Sequence, residues 1–202
     1  DFQHGPPKTG GTILLCTADR DGNMVSLIQS NYEGWGSGIV IPGTGILMNN
    51  EMDDFSSKPN TPNSYGLIGR DANEIAPGKR MLSSMTPTIV TLDGDLVMLT
   101  GSPGGSTIIN TVLEVVINVL DHGMGAEQAV ASPRFHHQWL PDNVRYETGA
   151  FSDEVANELK AMGHKGLSGS GFGIGDANTI VRKDGMLEAV SDPRNVGGVA
   201  GY

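Results

Sequence analysis

Short runs of apolar and β-favouring residues, separated by glycine-containing turns, predict strands in the first part of the chain. Residues 12–18 and 24–30 each lack Gly and Pro, and they flank the turn-forming sequence Asp-Gly-Asn at 21–23. The pair therefore predicts an antiparallel hairpin in which Gly22 is free to take a positive φ angle. A short third strand is expected at 46–49.

The middle of the chain has a different character. Pro, Asn and Gly recur through residues 55–80 without apolar periodicity. Such a long irregular stretch in a compact domain is usually functional or mobile. Two more hairpins are predicted beyond it, one from 86–91 and 96–100 and one from 178–182 and 186–190, each around an Asp-Gly turn.

Residues 107–120 predict a helix. They are mainly Ile, Val and Leu, interrupted by Asn110, Glu114 and Asn118 at a spacing of four on one helical face. We expect this helix to be largely buried.

A second helix is predicted at 152–162. Ser152 is its expected N-cap, Val155, Leu159 and Met162 are expected to face inward, and the following glycine ends it. Strands, a buried helix and further strands together predict an α+β fold, an antiparallel sheet with helices stacked on it.

Composition limits the classes of function. The chain has 202 residues, 29 glycines, 11 prolines and a formal net charge of −10. This charge argues against nucleic acid or an anionic membrane surface as a partner, because no basic cluster opposes it. No apolar run is long enough to span a membrane. Lone Cys16 excludes an internal disulfide and a multi-cysteine zinc site, and we expect it to be a small buried strand residue.

Two other patterns are assigned no ligand role. His136 and His137 are adjacent, so in a regular element they point in different directions and make a poor metal pair. The glycine-rich run 169–175 lacks the spacing of a dinucleotide-binding loop.

Thr12 begins the first predicted strand directly after Gly10 and Gly11. Because glycine places no side chain beside its own carbonyl, the Thr12 hydroxyl could attack that carbonyl, shift the chain to an ester and let water cleave it. The new α-amino group, with an unperturbed pKa of about 7.7–8.0, could then serve as the base for the hydroxyl of the same residue. Gly-Gly-Thr alone is a weak signal, since most such threonines are ordinary strand residues.

Longer motifs give this threonine a context. They are Gly-Asn at 22–23, Gly-Ser-Gly at 36–38, Pro-Gly-Thr-Gly-Ile-Leu at 42–47, Asn-Asn-Glu-Met-Asp-Asp-Phe at 49–55, Leu-Ser-Ser-Met-Thr-Pro at 82–87, Gly-Ser-Pro-Gly-Gly at 101–105, Pro-Arg-Phe-His-His-Gln-Trp at 133–139, Ser-Asp-Pro-Arg at 191–194 and Gly-Tyr at 201–202. In this order they resemble the small subunits of gamma-glutamyltransferases over nearly the whole chain from Thr12 onward. The resemblance implies the αββα sandwich of N-terminal-nucleophile (Ntn) hydrolases, of which this chain would form part.

The resemblance also implies roles for residues at matching positions. Thr12 falls on the autoprocessing nucleophile, and Ser30 falls on the hydroxyl that bonds to the nucleophile's amine. Gly104 and Gly105 match the pair whose backbone N–H groups form the oxyanion hole, where the following helix N-terminus adds a favourable dipole. By the same resemblance, residues 1–11 would be the tail of the large subunit or a pro-segment, and 12–202 the catalytic small-subunit domain.

Four further residues match the site that holds a γ-glutamyl group. Glu51 and Asp54 match the acidic pair for its α-ammonium, and Ser83 and Ser84 match the hydroxyls for its α-carboxylate. The family's arginine for that carboxylate lies in the large subunit.

Two aromatic residues bear on specificity. Tyr32 stands where many members have an asparagine that touches the α-amino end, so it could narrow the pocket or donate a phenol hydrogen bond. The segment 59–80, with Tyr65 near its middle, resembles the lid loop of some members, which would shield an acyl-enzyme from water.

The resemblance therefore predicts a γ-glutamyl amide hydrolase or transferase, acting on glutathione and related compounds and matured by autocleavage between Gly11 and Thr12. It implies no metal or organic cofactor, a large subunit of the same precursor as partner, and water, an amino acid or a peptide as acceptor. We expect the chain not to fold stably alone. The periplasm, the extracellular space and the cytoplasm are all compatible with it. The alternatives are a cephalosporin or glutaryl acylase on the same scaffold and a non-catalytic binding homologue.

Overall fold

The computed structural model describes residues 10–202 and has the predicted α+β fold. Its strands are β1 (Gly10–Ala18), β2 (Met24–Glu33), β3 (Thr88–Leu92), β4 (Asp95–Gly101), β5 (Phe135–His136), β6 (Val144–Tyr146), β7 (Leu167–Gly169), β8 (Asn178–Lys183) and β9 (Met186–Val190). Its helices are α1 (Ile108–Leu120), α2 (Ala126–Ala131) and α3 (Asp153–Ala161), with short 3₁₀ turns at Glu51–Asp54, Asp71–Asn73 and Gly105–Thr107.

The central sheet is antiparallel and has the strand order β3-β4-β8-β9. Its two hairpins turn at Asp93-Gly94 and Asp184-Gly185, where all four residues have φ between 51° and 90°. Asp and Gly tolerate this left-handed conformation, and turns of this hand match the twist of the flanking strands. The Asp-Gly pairs therefore fix the registers of both hairpins, as predicted.

The molecule is built in layers. Helices α1 and α2 pack on one face of the central sheet, and the β1–β2 hairpin packs on the other. Adjacent residues of β4 face the two layers in turn, since Met98 packs with Val115 of α1 whereas Leu99 packs with Cys16 of β1. These are three of the four layers of an αββα sandwich.

The outer face of the β1–β2 hairpin is apolar and open to solvent. Ile13, Leu15, Val25 and Leu27 are each exposed by about half or more, from 47% to 63%. The alternate residues of β1, Thr12, Leu14 and Cys16, are turned toward the central sheet. Because strand side chains alternate between faces, the hairpin has one face for the core and one apolar face that no described residue covers.

Helix α1 has the predicted position and is largely buried, but the side that faces solvent carries apolar residues. Ile109 and Leu113 are 53% and 52% exposed, whereas Asn110, Glu114 and Asn118 are all half-buried. The polar residues find partners there; the Asn118 amide, for example, donates to the Ala129 carbonyl of α2. The helix is thus largely buried, as predicted, but its exposed positions include apolar residues because local periodicity does not reveal which side a neighbouring element covers.

Helix α3 begins as predicted, with Ser152 Oγ accepting from the Val155 N–H. Of the three residues predicted to face inward, Leu159 is partly buried, but the prediction was wrong for Val155 and Met162, which are 40% and 78% exposed. The strand predicted at 46–49 is only an isolated bridge between Val40 and Leu47. The small sheet β5-β6-β7 and helix α2 were not predicted.

Candidate active site

The site is centred on Thr12, which pairs directly with Ser30 in the β1–β2 ladder. Thr12 Oγ1 lies 2.9 Å from Ser30 Oγ. The Tyr32 N–H donates to the same Ser30 oxygen at 2.8 Å. This donation occupies one lone pair of Ser30, which leaves its hydroxyl proton and a second lone pair for Thr12.

The peptide bond before Thr12 lies at an irregularity of the ladder. The strand register shifts between Gly10 and Thr12, and a Cβ on Gly11 would overlap the Glu33 carbonyl. Close backbone approach of this kind requires glycine. The Gly11–Thr12 bond is therefore held outside the regular ladder, as a β-bulge allows.

Gly104 and Gly105 both have backbone conformations that favour glycine, with φ of 140° and 58°. Gly105 begins the 3₁₀ turn that leads into α1, so its N–H lies at the N-terminal end of that helix. It lines the same small cavity as Thr12. A Cβ on Gly105 would overlap the ring of Tyr65, so this ring packs directly against the Gly105 backbone.

The acidic pair lies on the 3₁₀ turn Glu51–Asp54. Burial, followed by a hydrogen bond and charge repulsion from Glu51, raises the pKa of Asp54 to about 7. Glu51 Oε1 is buried and has no hydrogen-bond partner among residues 10–202. Two close carboxylates with an unused buried oxygen favour a cation between them.

The two serines, Ser83 and Ser84, line the same small cavity as Thr12. Ser83 Oγ accepts from the Met85 N–H at 3.1 Å, while Ser84 lines both this cavity and a larger one beside it. Their hydroxyls can still donate outward, since the bond to Met85 uses only an acceptor lone pair of Ser83.

Tyr32 joins the site to the segment predicted as a lid. It is 6% exposed and has a φ of 69°, which is strained for a bulky residue. Its hydroxyl lies 3.2 Å from Ser64 Oγ, and its ring meets the Tyr65 ring edge-on at 5.3 Å between centroids. Burial raises the pKa of the Tyr32 hydroxyl, so the phenol stays protonated and available as a donor.

The cavity at Thr12 is small, about 30 Å³, and Tyr65 and Leu67 of the segment predicted as a lid form part of its lining. Its lining includes all the residues predicted for the site except Glu51, which joins it through Asp54, and Gly104, which precedes Gly105. A second cavity of about 450 Å³ shares four walls with it, Asp54, Leu67, Ser84 and Ser106. Because Leu67 belongs to the lid segment, movement of the lid would join the two spaces.

The sequence reasoning missed Gln138 and Ser106. Ser106 Oγ donates to Gln138 Oε1 at 2.7 Å, and Gln138 Nε2 donates to the Tyr65 carbonyl at 3.0 Å. Ser106 directly follows the glycine pair, and Gln138 lies in the Pro-Arg-Phe-His-His-Gln-Trp motif. The motif at 133–139 indicated this region but not the role of Gln138, because its partner Tyr65 lies far away in the sequence.

A buried ion-pair cluster supports the glycine loop from behind. Arg134 pairs with Asp192 at 2.8 Å, and Arg194 pairs with Glu147 at 2.6 Å and with Asp192 at 3.1 Å. Glu147 accepts a hydrogen bond from the Ile174 N–H, and Asp192 accepts one from the Ala177 N–H. Between these two residues, the backbone N–H of residue 176 donates to Ser102 Oγ. The cluster thus holds the loop in which Gly104 and Gly105 lie.

The lone cysteine and the adjacent histidines have ordinary surroundings. Burial raises the pKa of the Cys16 thiol, which favours the unreactive protonated form. His136 is buried between the side-chain oxygens of Asn110 and Gln138, and His137 faces Asp142. No helix within residues 10–202 is long and apolar enough to cross a membrane.

A sheet covered by helices on one side and by a threonine-bearing sheet on the other is the arrangement of an Ntn hydrolase. The gamma-glutamyltranspeptidase family model matches residues 2–202. The chain therefore belongs to the gamma-glutamyltranspeptidase family.

Individual relatives agree with this assignment. The chain is 48% identical over 198 residues to the glutathione hydrolase proenzyme of Escherichia coli (strain K12), which is 98% of this chain and 34% of that protein. Among solved structures, a gamma-glutamyltranspeptidase from Pseudomonas nitroreducens has a TM-score of 0.84 at 46% identity, with 94% of this chain and 98% of that chain covered. A cephalosporin acylase from Bacillus halodurans has a TM-score of 0.79 at 34% identity, with 98% of this chain and 34% of that chain covered. The chain spans about a third of the length of the glutathione hydrolase proenzymes of Escherichia coli and Pseudomonas aeruginosa.

Proposed function

We propose that this chain is the catalytic part of a γ-glutamyl amide hydrolase or transferase with Thr12 as its nucleophile. The observation that carries the proposal is convergence. Thr12, Ser30, Asp54, Ser83 and Gly105 come from five separate segments and line one cavity. The names of relatives, glutathione hydrolases and gamma-glutamyltranspeptidases, support glutathione and similar γ-glutamyl compounds as donors.

Activity in this proposal requires maturation. While Gly11 and Thr12 are joined, the Thr12 nitrogen is an amide and cannot act as a base. Attack of Thr12 Oγ1 on the Gly11 carbonyl, followed by hydrolysis of the ester, would release an α-amine with a pKa near neutrality. Residues 1–11 would then form the tail of the preceding subunit, and 12–202 the catalytic domain. Residues 1–9 of that division lie outside the described part of the chain.

The reaction then follows from the geometry. The Thr12 amine removes the hydroxyl proton, the oxygen attacks the γ-carbonyl, and the N–H groups of Gly104 and Gly105 stabilise the oxyanion. The amine passes its proton to the leaving amine, which departs and leaves a glutamyl ester on Thr12. Water or an acceptor amine then attacks the ester and restores the hydroxyl. Ser30, at 2.9 Å from Thr12 Oγ1, orients the nucleophile.

Donor recognition depends on the charges at the two ends of the glutamyl group. Glu51 and Asp54 would hold the α-ammonium, whose positive charge takes the place of the proton that Asp54, with its pKa raised to about 7, carries at lower pH. Ser83 and Ser84 would donate to the α-carboxylate. Tyr65 and Leu67 of the lid segment line the cavity, so we expect the segment to move when a donor enters.

A partner subunit belongs to the same proposal. The exposed apolar face of β1–β2 calls for a covering layer, and the chain spans only a third of the length of these two proenzymes. We propose that the remainder of the same precursor supplies this layer, together with the arginine expected for the α-carboxylate.

The test is intact-mass measurement of the denatured precursor, followed by assay with a γ-glutamyl anilide. We expect a product that begins at Thr12 and ping-pong kinetics with a trappable acyl-enzyme. A precursor with Thr12→Ala should neither cleave nor turn over the anilide. Equal activity before and after this substitution would refute Thr12 as the nucleophile, and no activity in either form would favour a non-catalytic homologue.

A second candidate is an acylase that accepts a non-glutamyl group. The buried Tyr32 at the α-amino end of the site and the likeness to a cephalosporin acylase favour it. Hydrolysis of a glutaryl amide in preference to the γ-glutamyl anilide would decide for this candidate.

A further inference from the structure

The tip of the lid is an internally bonded turn. Asn63 Oδ1 accepts from the N–H groups of Tyr65 and Leu67, both at 3.0 Å. The Gly66 N–H donates to the Asn63 carbonyl, and an isolated bridge joins Pro62 to Ile68 at the base. A turn that satisfies its own backbone in this way can move as one rigid piece. What holds it closed must therefore be its contacts with the rest of the molecule.

One of those contacts is made by Gln138, whose side chain uses its full hydrogen-bonding capacity. Nε2 donates to the Tyr65 carbonyl at 3.0 Å and to the Leu140 carbonyl at 3.2 Å. Oε1 accepts from Ser106 Oγ at 2.7 Å and lies 2.9 Å from His136 Nε2. Two carbonyls on one side and a hydroxyl on the other fix the orientation of the amide.

The same amide joins two parts of the site that differ in sequence and in function. The Tyr65 carbonyl belongs to the lid tip, and its ring rests on Gly105. Ser106 directly follows Gly105 and lies in the 3₁₀ turn that precedes α1. The carboxamide of Gln138 links the two because it donates to the carbonyl and accepts from the hydroxyl.

We infer that Gln138 is a positioning residue that clasps the closed lid to the loop of Gly104 and Gly105. Through this contact it controls how the acyl-enzyme divides between reaction with water and reaction with an acceptor amine. This inference rests on the proposed function. A closed lid excludes bulk water from the glutamyl ester, whereas a loosened lid admits it. Gln138 acts through the lid and the loop and does not itself touch the reacting atoms.

The sharpest variant is Gln138→Glu, because the two side chains have the same shape. The carboxylate can still accept from Ser106 and His136, but it places an oxygen against the Tyr65 carbonyl where an N–H stood. The two donations of Nε2, to the Tyr65 and Leu140 carbonyls, are lost, while the contacts on the Ser106 side are kept. The matched control is Gln128→Glu, an exposed residue of α2 with the same change of charge.

The first measurement is the ratio of transfer product to free glutamate, with a γ-glutamyl anilide as donor and glycylglycine as acceptor. This ratio belongs to each acyl-enzyme molecule, so a partly misfolded sample does not change it. We expect Gln138→Glu to lower the ratio by about twofold to tenfold, the factor for one ordinary hydrogen bond, and Gln128→Glu to leave it unchanged. An unchanged ratio in Gln138→Glu would overturn the inference.

The second measurement needs no turnover and also covers a variant that fails to mature. In the precursor with Thr12→Ala, hydrogen–deuterium exchange of residues 62–68 should be faster with Gln138→Glu than with Gln128→Glu, while β4 exchanges equally in both. Equal exchange of 62–68 would contradict the clasp. If the unsubstituted protein yields neither glutamate nor transfer product, the proposed function fails, and the exchange comparison still decides the role of Gln138.

Discussion

Asp54→Asn tests how the site recognises its donor. The pKa of Asp54 is about 7 in the empty site because burial and the neighbouring Glu51 both disfavour its charge. Above that pH the ionised carboxylate can hold an α-ammonium, and below it the carboxyl carries its own proton. Asparagine keeps the shape and an acceptor oxygen but has no charge at any pH.

The size of the effect follows from the bond that is lost. A hydrogen bond to a charged group contributes about 1.5–3 kcal/mol, which corresponds to about 10- to 150-fold in kcat/KM at pH 8.5. Below pH 7 the unsubstituted enzyme loses its charged form by about tenfold per pH unit, so the advantage over Asp54→Asn shrinks toward none near pH 5.

The assay is kcat/KM for a γ-glutamyl anilide from pH 5 to 9, plotted as the ratio of the unsubstituted enzyme to Asp54→Asn. The Thr12 amine titrates in both proteins, so its contribution cancels in the ratio. Asp121→Asn, at the exposed end of α1, is the control and should give a ratio near one throughout. A large ratio that stays constant down to pH 5 would refute the raised pKa, and a ratio near one at pH 8.5 would refute the role of Asp54 in donor binding.

The same raised pKa has a consequence for stability in the absence of donor. Between pH 4 and 7 the folded protein keeps a proton on Asp54 that the unfolded chain has lost, so stability falls as pH rises through this window. Asp54→Asn should therefore melt at a higher temperature than the unsubstituted protein at pH 8, and at the same temperature near pH 4.

Three further substitutions test the surroundings of the site. Gly11→Ala places a Cβ against the Glu33 carbonyl, so the bulge must shift. Because a small misplacement of reacting groups lowers a rate strongly, we expect autocleavage to slow by about tenfold or more. Normal cleavage, measured by intact mass, would refute this. Gly105→Ala should displace the Tyr65 ring and adds left-handed strain of about 1–2 kcal/mol, and we expect kcat to fall by at least tenfold in the anilide assay. Asp192→Ala leaves buried Arg134 without its charge partner and should cost about 3–5 kcal/mol in chemical denaturation, whereas Asp95→Ala, in an exposed pair, should cost at most about 1 kcal/mol; equal costs would contradict the importance of the cluster.

The β1–β2 hairpin could be predicted from sequence because its signals are local. Alternation over a few residues gives the strand faces, and the Asp-Gly-Asn turn gives the register that places Thr12 opposite Ser30. The motif at 101–105 gave the glycine loop in the same way, since two adjacent positive φ angles before a helix leave little choice of residue.

Other features depend on contacts that no local pattern contains. The polar face of α1 is half-buried because α2 and the segment around residue 135 contact it, and β5–β7 are too short to show periodicity. In the sequence, Gln138 is only a polar residue in a loop. Its contact with the Tyr65 carbonyl could not be predicted because the two residues are far apart in the chain. These features become visible only once the tertiary packing is known.

The two faces of β1 are properties of one strand and cannot be set independently. Ile13 and Leu15 alternate with Thr12 and Leu14, so any layer that packs on the outer pair also fixes the twist of the strand and the direction of the Thr12 hydroxyl. In the proposed function, docking of a covering layer on this strand would therefore also affect the alignment of the Gly11–Thr12 bond. Autocleavage would then be coupled to assembly, and a chain without its covering layer would remain uncleaved and inactive.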